Sequence, residues 1–139
     1  MNAELARLLV LPLYGQVSIQ GSETRDLPEW VTGEESILST DDAIVIATRP
    51  DVGGDVVMTV VEGADAGNGE LIYDAELSVP SGVLEFGSIV AGSLGTISLA
   101  NEGRLHFRVY VDTPGAAEFV EIVLDPGTSS VRSGYGGAR

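Results

Sequence analysis

The chain has 139 residues, the size of one domain, and its 7 basic and 21 acidic residues give a net charge of −14. This charge repels phosphate and excludes sequence-independent binding of nucleic acid, which depends on Lys and Arg. Cysteine is absent, so disulfides and thiolate chemistry are excluded. No apolar run reaches the roughly 18–20 residues that span a bilayer, and residues 1–13 do not resemble a secretory signal. We therefore expect a cytoplasmic domain that binds neither nucleic acid nor membrane.

Alternating apolar and polar residues predict strands with one buried face. The first run covers residues 9–20, and its apolar face is formed by Leu9, Leu11, Leu13, Val17 and Ile19. The other runs cover residues 43–49, 55–61, 71–79, 83–89, 96–100, 104–111 and 117–124. The run 55–61 is apolar on both faces, which predicts a central strand. About eight strands at this spacing predict an all-β fold, an antiparallel sandwich resembling a jelly roll.

Two stretches do not follow the alternation. Residues 21–42 form a long irregular connection, in which residues 34–38 could form a helical turn. Residues 127–139 are rich in Gly, Ser and Arg, a composition typical of a disordered tail. We therefore predict a single sandwich domain over residues 1–126 and a disordered tail over residues 127–139.

The sequence predicts no catalytic, metal or cofactor site. His106 is the only histidine, and it lies on the outward face of a predicted strand between Arg104 and Arg108. Neighbouring cations disfavour protonation of an imidazole, and the chain has no nucleophile motif for a histidine to activate. We expect His106 to be a surface residue, and Glu118 and Glu121 to pair with Arg104 or Arg108 across strands. The Gly- and Asn-containing segment 65–70 predicts a hairpin turn rather than a calcium loop.

The long connection is the strongest candidate for a binding surface. Residues 23–42 contain seven carboxylates and a single cation, and a loop of this length in a compact domain is usually functional or disordered. The only tryptophan, Trp30, lies within it, either as a core anchor for the loop or as an interface residue. The candidate partner-binding residues are Glu29, Trp30, Glu34, Glu35, Asp41 and Asp42.

The order of these features over residues 8–125 resembles the competence protein J family, whose members inhibit DNA-entry nucleases. The resembling positions are Tyr14, Val17, Ile19, Pro28, Trp30, Thr32 and Glu34, followed by residues 43–49, 56–61, 76–80 and 121–124. The resemblance implies a small β-sandwich that binds and silences a nuclease.

Charge, loop and resemblance together predict an acidic, non-enzymatic protein that inhibits, or gives immunity to, a basic partner such as a nuclease or toxin. In this prediction, the carboxylates occupy the nucleic-acid groove of the partner and Trp30 supplies apolar contact. The alternative is a structural or assembly subunit that forms a homo-oligomer, such as a homodimer. A carbohydrate- or metal-binding sandwich has little support, because few aromatic residues could stack on sugars.

Overall fold

The computed structural model describes residues 2–25, 27–32 and 35–130, and these residues form ten strands and two short 3-10 turns. The 3-10 turns are Leu13–Gly15 and Asp51–Gly53. The strands are β1 (Ala3–Val10), β2 (Gln16–Gly21), β3 (Ile37–Ser39), β4 (Ala43–Ala47), β5 (Val56–Glu62), β6 (Glu70–Val79), β7 (Val83–Ser88), β8 (Ser93–Ser98), β9 (Gly103–Val111) and β10 (Phe119–Leu124). Nowhere in these described ranges is there a helix of the length and apolarity that crossing a membrane requires.

The strands form two five-stranded sheets. The first sheet has the order β1-β5-β10-β9-β6, and the second has the order β3-β4-β2-β7-β8. The core lies between the sheets and contains Val17, Ile19, Met58, Phe86 and Phe107, all almost fully buried. The predicted all-β sandwich is confirmed, with two strands more than the sequence indicated. One pair departs from the expected antiparallel pattern, because β10 runs parallel to β5.

The first predicted run is two strands in different sheets rather than one. The chain leaves β1 at Val10 and turns through Leu13–Gly15 before β2 begins. Tyr14 and Gly15 both have positive φ, 62° and 66°. This turn interrupts the alternation, so the predicted common apolar face is wrong. Leu9 is 61% exposed, whereas Val17 on β2 is buried.

The alternation predicted for residues 104–111 and the central position of residues 55–61 are both confirmed. In β9, Leu105, Phe107, Val109 and Val111 face the core. Strand β5 lies between β1 and β10. Its second apolar face contributes to a small cluster outside the sandwich, formed by Val61, Tyr110 and Val123.

The long connection lies against the outer face of the second sheet. We call residues 22–36 the strap; residues 26, 33 and 34 are outside its described part. The Arg25 Nη1 atom lies 3.1 Å from Glu85 Oε1 on β7, and Leu27 lines a small crevice with Ser18 of β2. Glu85 also accepts a hydrogen bond from the buried Gln20. The strap therefore covers polar side chains that would otherwise face solvent.

The strap ends in a strand rather than in the helical turn predicted over residues 34–38. Ile37–Ser39 is extended and pairs antiparallel with β4, and the N–H of Ala47 donates to the carbonyl of Ser36. The helical prediction is wrong over the described residues 35–38. The physical reason is that pairing with β4 satisfies the backbone groups of this segment, which a single helical turn would leave largely unpaired.

The described part of the predicted tail is ordered. The N–H of Ala100 donates to the carbonyl of Thr128 over 2.8 Å, and the N–H of Ser130 donates to the carbonyl of Ser98 over 3.0 Å. Residues 128–130 thus pair with Ser98, the last residue of β8, and with the two residues that follow it, so the predicted disorder does not extend to them. The rest of the predicted tail, residues 131–139, lies outside the described residues.

Candidate binding groove

An open groove of about 440 Å³ lies at one end of the sandwich. It forms where the turn after β1, the strap, the end of β4 and the turn between β9 and β10 meet. Its lining residues are Tyr14, Gly15, Trp30, Glu35, Ala47, Thr48, Pro50 and Gly115. Two of these, Trp30 and Glu35, are among the partner-binding residues predicted from the sequence.

Tyr14 stands at the edge of the groove in an unusual backbone conformation. Its φ of 62° is the only positive value for a non-glycine residue in the described chain. Its side chain is 79% exposed. Such a conformation costs about 1–3 kcal/mol and is concentrated at functional sites. Burial of the ring does not offset this cost, so the strain points to a role outside the core.

Trp30 is fixed to the second sheet and lines the groove at the same time. Its indole N–H donates to Gln16 Oε1 over 2.8 Å, which ties the strap to the start of β2. The side chain is half-buried, so it is not a residue of the central core. This geometry allows Trp30 to anchor the strap and to take part in an interface at the same time, so the two alternatives predicted for it do not exclude each other.

Glu35 places a negative charge at the groove. Its Oε2 accepts the N–H of Val31 at 3.2 Å and the N–H of Thr32 at 3.1 Å. Hydrogen bonds from backbone N–H groups, its own first and then that of Thr32, lower the pKa of Glu35 to about 2. The carboxylate is therefore ionised at every physiological pH.

Exposed apolar side chains and one exposed carboxylate lie next to residues of the groove. Val31 is 82% exposed beside Trp30, and Val52 is 92% exposed on the 3-10 turn that contacts the turn of Tyr14. Glu29 is exposed on the strap. Apolar anchors within a polar rim are typical of protein-binding surfaces. The arrangement is suited to binding another protein.

The predicted carboxylates do not form one surface. Asp41 and Asp42 lie in the turn between β3 and β4, whereas the groove is at the opposite end of β4. A five-residue strand separates the two places by about 17 Å, at roughly 3.4 Å per residue. Asp41 is also paired, because its Oδ1 accepts from Arg104 Nη1 over 3.0 Å. Glu34 lies outside the described residues.

The prediction that neighbouring cations disfavour protonation of His106 is wrong. Its Nδ1 lies 2.8 Å from Asp125 Oδ2, and its Nε2 lies 2.6 Å from Asp74 Oδ1. Hydrogen bonds to Asp125 and then to Asp74 raise the pKa of His106. The two carboxylates outweigh the neighbouring arginines, so protonation is favoured. The ring bridges β6, β9 and the residue that follows β10.

The predicted pairing of Glu118 and Glu121 with arginines of β9 is also wrong. Glu118 pairs with Arg49 at 3.3 Å, and Glu121 accepts the backbone N–H of Asn68 over 2.7 Å. Arg104 binds Asp41 and Glu76 instead. Arg108 donates to backbone carbonyls and to the Tyr110 hydroxyl. Within the part of the chain that the structure describes, no group of three or more His, Asp or Glu side chains could hold a metal ion.

Sequence reasoning missed Tyr14 as a groove residue, because the predicted first strand ran through it. The signal was present in the sequence as Pro12 before Tyr14 and Gly15 after it, a pair of residues that marks a turn. Nothing in the sequence marks Thr48 or Gly115 as a residue of the groove. They reach the groove only because β4 ends beside the turn between β9 and β10.

No family model matches the chain, and no curated protein matches it. The fold is similar to that in the crystal structure of ComJ from Bacillus subtilis, an inhibitor of the DNA degrading activity of NucA. The two sequences are 13% identical, and the TM-score is 0.64. The similarity covers 91% of this chain and 98% of the ComJ chain, so the resemblance predicted from the sequence is confirmed at the level of the fold.

Proposed function

We propose that this chain is an acidic, non-enzymatic protein that binds a basic nuclease and inhibits it. The observation that supports this best is a sandwich that corresponds over nearly the whole of both chains to an inhibitor of a DNA-degrading activity. The net charge of −14 agrees with a partner whose nucleic-acid site is positively charged. The alternative of a homo-oligomeric assembly subunit has no comparable support.

We propose that the chain contacts the nuclease through the groove end, which is the end of the sandwich where the groove lies. Trp30 and Tyr14 supply aromatic area there, and Glu35 and the neighbouring Glu29 supply negative charge. Bound in this way, the chain blocks access of DNA to the nuclease and places carboxylates where phosphates would lie. Asp41 and Asp42 contribute to the long-range field but not to this contact, because they lie at the other end of β4.

A depletion assay tests the function. The DNA-degrading activity of a lysate from the source organism is measured before and after passage over the immobilised chain. We expect the activity to fall at low salt and to be recovered in a high-salt wash, because salt screens attraction between exposed charges. The recovered fraction should be inhibited again by the free chain. Activity that passes unchanged at low salt would contradict the proposal.

Two charge-matched variants test the surface. The double variant Glu29→Gln/Glu35→Gln and the double variant Asp41→Asn/Asp42→Asn each remove two negative charges, at opposite ends of β4. We expect only the first pair to weaken inhibition strongly, because its charges lie in or beside the contact. Equal effects of both pairs would mean that net charge alone matters, and the groove end would be rejected as the interface.

A further inference from the structure

We propose that His106 is a pH switch, which holds residues 125–130 in place while both of its ring nitrogens carry a proton and releases them when one proton is lost. We call residues 125–130 the clip. The inference goes beyond the proposed function, because the clip lies at the end of the sandwich opposite to the groove. The chain enters β10 beside the groove, where Ala117 forms a bridge with Thr48, and it leaves β10 at the clip.

The clip connects the two sheets. It follows β10 of the first sheet directly, and it pairs with the chain at the end of β8 in the second sheet. The N–H of Ala100 donates to the carbonyl of Thr128, and the N–H and the hydroxyl of Ser130 both donate to the carbonyl of Ser98. These bonds fix the end of the clip. Its start is fixed by the side chain of Asp125, which contacts the His106 ring.

The geometry of the ring requires the imidazolium form. The Nδ1 atom of His106 lies 2.8 Å from Asp125 Oδ2, and the Nε2 atom lies 2.6 Å from Asp74 Oδ1. An ionised carboxylate only accepts hydrogen bonds, and a neutral imidazole donates from one nitrogen alone. Both contacts are therefore hydrogen bonds only while both nitrogens are protonated, and each bond is then charge-assisted. After one proton is lost, a nitrogen lone pair faces a carboxylate oxygen and the two repel each other.

The repulsion is relieved at Asp125 rather than at Asp74. Asp74 lies inside β6, where its pairing with Arg108 belongs to a continuous ladder between β6 and β9. Asp125 follows Leu124, which forms the last pair between β10 and β9. Its backbone is therefore less constrained than that of Asp74. Movement of Asp125 away from the ring carries the start of the clip with it.

Other charged side chains on the surrounding elements have partners of their own. They are Arg104 and Arg108 on β9, Glu76 on β6, Glu62 at the end of β5 and Glu102 in the turn before β9. Arg104 Nε donates to Glu76 Oε1 over 3.1 Å, Arg108 donates to the carbonyl of Asp65, and Glu62 accepts the N–H of Ser129 in the clip. Hydrogen bonds to Asp125 and then to Asp74 are the main causes that raise the pKa of His106 above 6.5. The clip is therefore held firmly below about pH 6.5 and loosens as pH rises through the folded pKa.

Solvent reaches the ring and the clip from the same side. A crevice of about 170 Å³ is lined by His106 and Leu105 of β9 and by Asp125 and Thr128 of the clip. Water can therefore exchange protons with the ring, and it can hydrate the carboxylate of Asp125 as that contact opens.

The single histidine makes the test direct. In a tag-free chain, the ring ¹⁵N signals of His106 need no assignment, and their titration gives the folded pKa and the protonation state of each nitrogen. Amide hydrogen exchange of Ala100 and Ser130 is measured by NMR over the same pH range and divided by the intrinsic exchange rate. We expect the protection of both amides to fall by about threefold or more as His106 loses its proton. The control is the amide of Thr48, which donates to the carbonyl of Gly15 beside the groove and should keep its protection.

Two asparagine variants separate the switch from simple docking of the clip. In Asp125→Asn, the side chain can accept from a protonated ring nitrogen and donate to an unprotonated one, so the ring is bound in both states. In Asp74→Asn, the neutral ring can donate to Asp125 and accept from the asparagine. We expect both variants to keep the clip docked and to lose the pH dependence of its protection.

The matched control is Glu102→Gln, which removes a nearby negative charge and should leave the pH dependence unchanged. Protection of Ala100 and Ser130 that stays constant through the titration of His106 would overturn the inference. A pH dependence that persists in both asparagine variants would also overturn it.

Discussion

The hydrogen bond between Trp30 and Gln16 should be measurable as a coupling energy. It joins the strap to β2 over 2.8 Å, and both side chains are half-buried. A hydrogen bond of this kind contributes a net stability of about 0.5–1.5 kcal/mol. We expect a double-mutant cycle with Trp30→Phe and Gln16→Ala to give a coupling of about 1 kcal/mol, because each single variant already removes the same bond.

The assay is urea unfolding and, in parallel, thermal unfolding, both followed by far-UV circular dichroism, since the Phe variant has no tryptophan signal. Each single variant should lower the melting temperature by about 3 °C or more, the shift that roughly 1 kcal/mol produces in a domain of this size. Val31→Ala is the control: this neighbour of Trp30 is 82% exposed and should change stability by less than about 0.5 kcal/mol. Single-variant effects that add to within about 0.3 kcal/mol would show that the strap is not held by this bond.

Three further predictions concern other parts of the molecule. Tyr14→Asn should not lower the melting temperature, because Asn tolerates the φ of 62° better than Tyr does. The same variant should weaken binding at the groove. A large loss of stability would contradict the backbone strain assigned to Tyr14. The pKa of His106 is raised in the folded chain, so its contribution to stability is complete below about pH 6.5 and is lost as pH rises through the folded pKa. His106→Gln should abolish this pH-dependent component, which is small because the ring is partly exposed, and an unchanged profile of stability against pH would refute the assignment. Gly95→Ala should destabilise by about 1–3 kcal/mol in urea unfolding, because its Cβ would lie 2.5 Å from Cζ of the buried Phe86; a neutral result would show that the ring can shift.

The sequence was sufficient for the elements whose pattern is local. In β9, each inward residue is apolar and each neighbour is polar or aromatic, so burial could be read from alternation alone. The same reasoning failed for the first run, because the turn at Tyr14 and Gly15 changes the direction of the chain and with it the side of the strand that faces the core. Alternation carries no information across a turn whose geometry is unknown.

The candidate site was harder to predict, because closeness along the chain is not closeness in space. Glu35 and Asp41 are six positions apart, yet the β3–β4 hairpin places them at opposite ends of β4. His106 shows the same difficulty with charge. Arg104 and Arg108 are each two residues from His106, which is about 7 Å along the strand. Asp74 and Asp125 come from other segments of the chain and lie within hydrogen-bonding distance of the ring.

The position of β10 has a consequence for how the chain can fold during synthesis. All five strands of the second sheet lie between Gln16 and Ser98, so that sheet can assemble early. The middle strand of the first sheet is β10, whose Phe119 pairs with Val57 across a long separation in sequence. Until Leu124 has been synthesised, β5 and β9 have no strand between them, and the strand edges that β10 pairs with stay unpaired. Formation of the first sheet is therefore expected to be a late and slow step of folding, during which the protein is most prone to aggregate.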